Sequence, residues 1–260
     1  MVSWEVRTRD FSLNEVLCVS LGFGTDRGRV RKVNEDRYLV RELESGIMLA
    51  VADGMGGHRA GDVASSLAIK ALENYSFQDY SIRELEEAVD LGNEKILEAA
   101  GKKTSLQGMG TTLTISLIVE NRMLLGHVGD SRCYLFRQGS LERLTTDHSL
   151  VNDLLQENKI SREESRHHPY RHVLNRALGT DHRVQVECKE YDLEPEDILL
   201  LCTDGLTNLV SEEKIADILA DHSPETAVEI LIEEANRRGG KDNITAVVFQ
   251  FHQSFEVRQQ

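Results

Sequence analysis

Three apolar runs in this chain each carry an aspartate at the boundary where a strand should meet a loop. Ile47 to Ala52 runs into Asp53-Gly54, Ile198 to Thr203 runs into Asp204-Gly205, and Asp242-Asn243 leads into Ile244 to Phe249. A continuous apolar run of this length beside a turn signal reads as a buried strand. If the third strand is antiparallel to the other two, all three carboxylates gather at one edge of one sheet.

The remaining pattern supplies more strands and two helix pairs. Strand-like segments fall at about 16–24 and 36–43. Leu113, Ile115, Leu117 and Val119 alternate with Thr and Ser, Glu120-Asn121 makes a tight turn, and Met123 to Val128 returns. Gln138-Gly139 suits a hairpin turn between 134–136 and 141–144, and further strands are expected at about 184–190, 197–202 and 244–251. Helical spacing joins Ala64, Leu67, Ala68, Ala71 and Leu72, and again Leu85, Ala88, Val89, Ile96 and Leu97. A second pair is expected at about 211–220 and 223–238, with Ser223-Pro224 as its internal start and Gly239 as its stop. Residues 145–180 break the pattern: they are polar, helical or irregular, with Ser161 and Glu164 spaced as a capping box. Strands in runs and helices in pairs predict an α+β fold, an antiparallel β-sandwich flanked by helix pairs on both outer faces in four αββα layers. With only 3 prolines and no linker-like stretch, residues 1–260 read as a single domain with an insert at about 145–180.

Charge narrows the partners. A net charge of −14 argues against nucleic acid and against an anionic membrane as partners. No apolar run approaches the roughly 18 residues of a membrane span, and the N-terminus lacks the apolar core of a signal peptide. The 4 cysteines (Cys18, Cys133, Cys188 and Cys202) are scattered without C-x-x-C spacing, which suits a reducing compartment. A cytoplasmic protein without membrane insertion is expected.

Clustered carboxylates repel, and they stay ionised together only with positive charge between them. Mg²⁺ and Mn²⁺, which prefer oxygen ligands, are the natural answer. Asp-Gly after a strand is also an ordinary turn, but several further segments repeat the combination of acids and glycines. They are Gly28-Arg29-Val30-Arg31-Lys32-Val33-Asn34-Glu35-Asp36, Asp53-Gly54-Met55-Gly56-Gly57, Gly108-Met109-Gly110-Thr111-Thr112, Gly126-His127-Val128-Gly129-Asp130-Ser131-Arg132, Thr203-Asp204-Gly205 and Gly239-Gly240-Lys241-Asp242-Asn243. In this order and spacing, from about Gly22 to Phe251, the chain resembles the metal-dependent Ser/Thr protein phosphatases of the type 2C family, in their compact bacterial branch.

The resemblance implies a centre of two Mn²⁺ or Mg²⁺ ions, with a third, weaker ion beside it. Asp53 would bridge two metals, the Gly54 carbonyl would bind one, and Asp204 and Asp242 would complete the first ion's protein ligands. Glu35 (through water) and Asp36 would lie around the second ion, and Asp130 would help hold the third. Arg31 would grip the substrate phosphate, where its bidentate fork has no equivalent in Lys32. Two such ions can share a water, lower its pKa and aim it in line at phosphorus. The reaction implied is hydrolysis of phosphoserine and phosphothreonine in proteins. The partners implied are the substrates of a bacterial Ser/Thr kinase and the kinase itself. In eukaryotic members a His suspected of protonating the leaving group stands where this chain has Met55, and Met cannot donate a proton. His58 and a metal-bound water are both candidates for the acid. Residues 145–180 match the variable flap of bacterial members, here with a basic cluster from Arg166 to His172. A rival is a related phosphatase dedicated to a phosphorylated anti-sigma antagonist; the complete Arg31, Glu35 and Asp36 motif and the flap-like insert favour the general enzyme. A catalytically lapsed binding or sensor module should have lost ligands, whereas Asp53, Asp204 and Asp242 are all present.

Overall fold

The computed structural model describes residues 5–13, 17–56 and 60–252. One sheet has the order β1-β2-β12-β11-β8-β9, formed by β1 (Glu5–Leu13), β2 (Leu17–Asp26), β12 (Ile244–Phe251), β11 (Ile198–Cys202), β8 (Arg132–Arg137) and β9 (Ser140–Arg143). The other has the order β10-β7-β6-β4-β3, formed by β10 (Glu187–Asp192), β7 (Arg122–Val128), β6 (Leu113–Val119), β4 (Gly46–Met55) and β3 (Asp36–Glu42), with the short β5 (Gly110–Thr111) pairing to the end of β4. Every pairing is antiparallel. Helices α1 (Ala60–Asn74) and α2 (Ile82–Lys102) cover the second sheet. The short α5 (Asp204–Thr207), with α6 (Glu212–Asp221) and α7 (Pro224–Arg237), covers the first.

This is the α+β sandwich expected from the pattern, and the period of two along each strand explains its layers. In β4, Ile47, Leu49 and Val51 enter the core between the sheets, while Met48, Ala50 and Ala52 pack under α1 and α2. In β12, Val247, Phe249 and Phe251 face the inter-sheet core, while Ile244, Ala246 and Val248 face the α5–α7 layer. Both faces of the central strands are buried, so their sequences read as unbroken apolar runs rather than as alternation. The two-residue turns fall where expected, with Glu120 at φ 55° and Gln138-Gly139 at φ 51° and 81°. The insert contains α3 (Leu150–Gln156) and α4 (Arg162–His167). Ser161 and Glu164 form the expected capping box, the Glu164 carboxylate accepting from the Ser161 amide at 2.7 Å.

Two expectations change. The three aspartate-bearing strands do not share a sheet: β4 lies in one, β11 and β12 in the other. Strand β1 was not expected, because Arg7, Arg9 and Asp10 interrupt any apolar run; it is an edge strand, where charge is favoured because it discourages further pairing.

Candidate metal centre and active site

Alternation places the first pair of acids. Asp53 continues the row Ile47, Leu49, Val51 that faces the opposite sheet, and Asp36 is its cross-strand partner in β3. Asp36 is fully buried, and its Oδ2 accepts from the hydroxyls of Thr203 (2.8 Å) and Thr245 (2.7 Å), both carried by the other sheet's strand ends. Antiparallel pairing of β11 with β12 brings the exit of one strand to the entry of the next, so Asp204 and Asp242 meet at the same sheet end. Asp130 arrives from the turn between β7 and β8. The carboxylates therefore converge across the sandwich, at the rim where two sheets meet.

The Asp-Gly pairs have a reason other than turn geometry. Neither Gly54 nor Gly205 has positive φ. A Cβ on Gly54 would lie 2.2 Å from the Gly61 carbonyl oxygen, and one on Gly205 would lie 1.9 Å from that of Asn243. Both glycines are there because another backbone passes too close for any side chain.

A polar scaffold fixes these positions. Thr112 Oγ1 accepts from the Asp53 amide at 2.9 Å and lies 2.7 Å from Ser131 Oγ, tying β4 to the turn that carries Asp130. Asn243 holds the 27–35 loop: its Nδ2 donates to the carbonyls of Arg27 (2.9 Å) and Val33 (3.0 Å), and its Oδ1 accepts from the Glu35 amide (2.9 Å). Sequence reasoning passed over Thr112, Ser131, Thr203, Thr245 and Asn243. All but Thr112 stand one to three residues from an expected ligand, and that adjacency is the available signal; Thr112 belongs to the Gly108–Thr112 segment, which carries no expected ligand.

Electrostatics show how tightly the acids crowd. Desolvation, then Asp36, Asp204, Asp130 and Asp242, push the Asp53 carboxyl well above its ordinary value. Asp36 is pushed up to about 7 by its burial, against the two threonine hydrogen bonds, with Asp204 and Asp242 adding repulsion. Desolvation first and Asp204 next raise Asp130, and desolvation and Asp242 raise Asp204. Asp36 Oδ1 and Asp204 Oδ1 are buried without a hydrogen-bond donor. Oxygen-only donors, mutual repulsion and two orphaned carboxylate oxygens are what a hard divalent cation would satisfy, so these residues fit the ions expected.

They do not yet form a ligand cage. Among the described residues, no three His, Cys, Asp or Glu side chains converge closely enough to hold one ion. Two of the acids take other partners: Asp242 Oδ2 accepts from Arg31 Nη2 at 2.8 Å, and Asp204 Oδ2 from Asn208 at 2.9 Å. Arg31 is thus brought to the cluster, half-exposed, on the Asp242 side. Glu35 reaches toward Gly61, and a Cβ there would lie 2.9 Å from Glu35 Oε1 and 2.6 Å from the Gly54 carbonyl oxygen. From the insert, His172 lies near enough to lower the Asp204 pKa, although desolvation and Asp242 outweigh it. Met55 ends β4 beside Gly110, and His58 falls outside the described residues. A polar cavity of about 310 Å³ opens beside the base of the insert, lined by Asp147, His148, Asn152, Arg176 and Glu187 among others and by none of the expected ligands.

Comparison with known proteins identifies the family. Residues 23–234 match the family model described as Protein phosphatase 2C. The chain is 40% identical over 237 residues to the serine/threonine phosphatase stp of Listeria welshimeri, covering 88% of this chain and 94% of that protein. It superposes on the crystal structure of the Mycobacterium tuberculosis serine/threonine phosphatase PstP with a TM-score of 0.81 and 38% identity, covering 97% of this chain and 99% of that one. A structure of the PstP catalytic domain in complex with two manganese ions matches with a TM-score of 0.80 and 36% identity, over 97% of this chain and 99% of that one. The chain belongs to the protein phosphatase 2C family of metal-dependent serine/threonine phosphatases.

Proposed function

We propose that this chain hydrolyses phosphoserine and phosphothreonine in proteins at a binuclear Mn²⁺ or Mg²⁺ centre. The observation that carries the reading is the meeting of Asp36, Asp53, Asp130, Asp204 and Asp242 at one sandwich rim, where burial first and neighbouring carboxylates next raise the pKa of Asp36, Asp53, Asp130 and Asp204. In this assignment Asp53 would help hold both ions, the Gly54 carbonyl, Asp204 and Asp242 would hold the first, and Asp36, with Glu35 through water, would hold the second. Asp130 serves a third, weaker ion. When bound, such ions neutralise phosphate charge and acidify a water for in-line attack.

The chain's own groups do the rest. Arg31 is exposed and held by a single acid, so its fork can turn to two phosphate oxygens once Asp242 has another partner. Thr203 and Thr245 keep Asp36 ionisable by donating to one of its oxygens, leaving the other free to ligate. The leaving-group acid is not assigned to Met55, whose thioether has no proton to give. Residues 1–260 act as one catalytic domain, with 145–180 as a flap beside the cleft. The substrates are those of a Ser/Thr kinase, the kinase included, in the cytoplasm, a setting in keeping with the free thiols of Cys133, Cys188 and Cys202. Among the described residues, no helix is long and apolar enough to cross a membrane.

The test is phosphate release from a phosphothreonine peptide with added Mn²⁺, and again with chelator. Release that needs the metal is expected. Turnover unaffected by chelator would overturn the metal mechanism, and no turnover at any Mn²⁺ or Mg²⁺ concentration would return the chain to a binding module.

A further inference from the structure

His148 lies in the insert's first residues and is 7% exposed. Its contacts reach the turn that carries Asp130. The Gly129 amide donates to His148 Nδ1 at 3.1 Å, and the His148 amide donates back to the Gly129 carbonyl at 2.7 Å. The tautomer follows from the partners. Nδ1 accepts, so the ring proton sits on Nε2, which faces Glu187 Oε2 at 3.2 Å. Desolvation, and then Arg176 at 3.4 Å from Nε2, push the ring below its ordinary value, so it stays neutral and keeps Nδ1 as an acceptor.

The other face of the ring stacks on His127, with centroids 4.8 Å apart. His127 is itself fixed by Thr114 Oγ1 (2.9 Å from Nδ1) and by the Thr146 carbonyl (3.1 Å from Nε2). The far end of the insert is pinned to the same place, since the Asn175 amide donates to the His148 carbonyl at 2.9 Å. Gly129 has φ 111°, a conformation that a Gly-Asp turn would leave readily without an external bond.

We propose that His148 is a positioning residue: its Nδ1 locks the Gly129 amide and so aims Asp130 into the cleft, linking the base of the insert to the metal centre. This rests on the reading of Asp130 as a ligand. The lock itself is readable without metal or substrate, so the two can fail separately.

The experiment uses H148A, H148N and H148Q in the full chain. Asn places its side-chain oxygen where Nδ1 stands and can accept from Gly129; Gln reaches instead toward the Nε2 position. Hydrogen exchange of the 126–131 segment, measured in chelator, should accelerate about tenfold or more in H148A and H148Q and return close to wild type in H148N. Mn²⁺ affinity at the weakest site resolved by calorimetry, the one given to Asp130, should fall about 10-fold or more in the first two and recover in the third, the scale typical of losing a group that orients a ligand. If H148A does not fold, the Asn and Gln pair still decides. Equal exchange in Asn and Gln variants, or recovery only in Gln, would overturn the lock and leave His148 as a partner of Glu187. Altered exchange with unchanged Mn²⁺ affinity would keep the bond but overturn the link to the metal centre.

Discussion

The two sheets supply their acids by different means. Asp36 and Asp53 lie within paired strands, fixed by register and by a hydroxyl network reaching Thr112, Thr203 and Thr245. Asp204 and Asp242 lie beyond strand ends, on the first turn of α5 and on the loop before β12, and take up Asn208 and Arg31 as partners. The first pair cannot move without breaking a ladder. The second can turn by a side-chain rotation, which is the freedom an ion needs to draw in its last ligands. Under the proposed assignment the site has a rigid side that sets position and an adjustable side whose carboxylates would turn to an ion.

The largest effects should fall on the rigid side. Asp53→Asn should lose more phosphatase activity than any other single change, because in the proposed assignment Asp53 would help hold both ions. Asp204→Asn and Asp242→Asn should each lose about 10²-fold or more, since each ~1.4 kcal/mol of lost charge stabilisation is tenfold in rate. Turnover at limiting Mn²⁺ on a small aryl phosphate ranks the three. Raising Mn²⁺ should restore Asp242→Asn more than Asp53→Asn. The reverse order would break the distinction between the two sides.

Next comes Arg31→Ala. If Arg31 clamps ground-state phosphate, KM rises with little change in kcat; a role confined to the transition state would lower kcat instead. Unchanged steady-state kinetics on an aryl phosphate would leave Arg31 only as the partner of Asp242.

Much of this was legible because apolar runs report burial directly. β4, β11 and β12 were found from their cores, and their aspartates from the boundaries of those runs. What the runs could not show was which sheet each strand joined, since a strand buried on both faces carries no sign of its partners. The runs alone therefore allow all three acids at one edge of one sheet, whereas Asp53 belongs to one sheet and Asp204 and Asp242 adjoin strands of the other. The supporting hydroxyls were harder still. Thr245 reads as an ordinary β-branched strand residue, and only register reveals that it points at Asp36 from the other sheet.

A smaller effect tests the crowding itself. In chelator, Asp53→Asn should raise the melting temperature, because it removes one carboxylate that burial and four neighbours disfavour. For a chain of this size each kcal/mol regained corresponds to about 2–4 °C. Activity and metal-free stability would then move in opposite directions, as expected where a site stores repulsion for a ligand. A lower melting temperature in chelator would mean that the Asp53 carboxylate is held by bonds rather than strained by neighbours.

The smallest effect should come from the insert, and it depends on the substrate. Tyr170 is 57% exposed, Arg171 is exposed, and His172, the next residue along, is close enough to influence Asp204. This stretch therefore stands beside the cleft without contributing an expected ligand. Arg171 is an exposed cation on a chain of net charge −14, so acidic flanks of a phosphoprotein are what it would attract. Replacing Tyr170 and Arg171 with Ala should leave aryl phosphate hydrolysis within about twofold, while slowing a phosphoprotein several-fold, the scale of a few exposed contacts of under about 1 kcal/mol each. Equal losses on both substrates would show that the stretch props up the catalytic rim itself. No loss on either would reduce it to a solvated loop and leave its first residues, through His148, as the insert's link to the cleft.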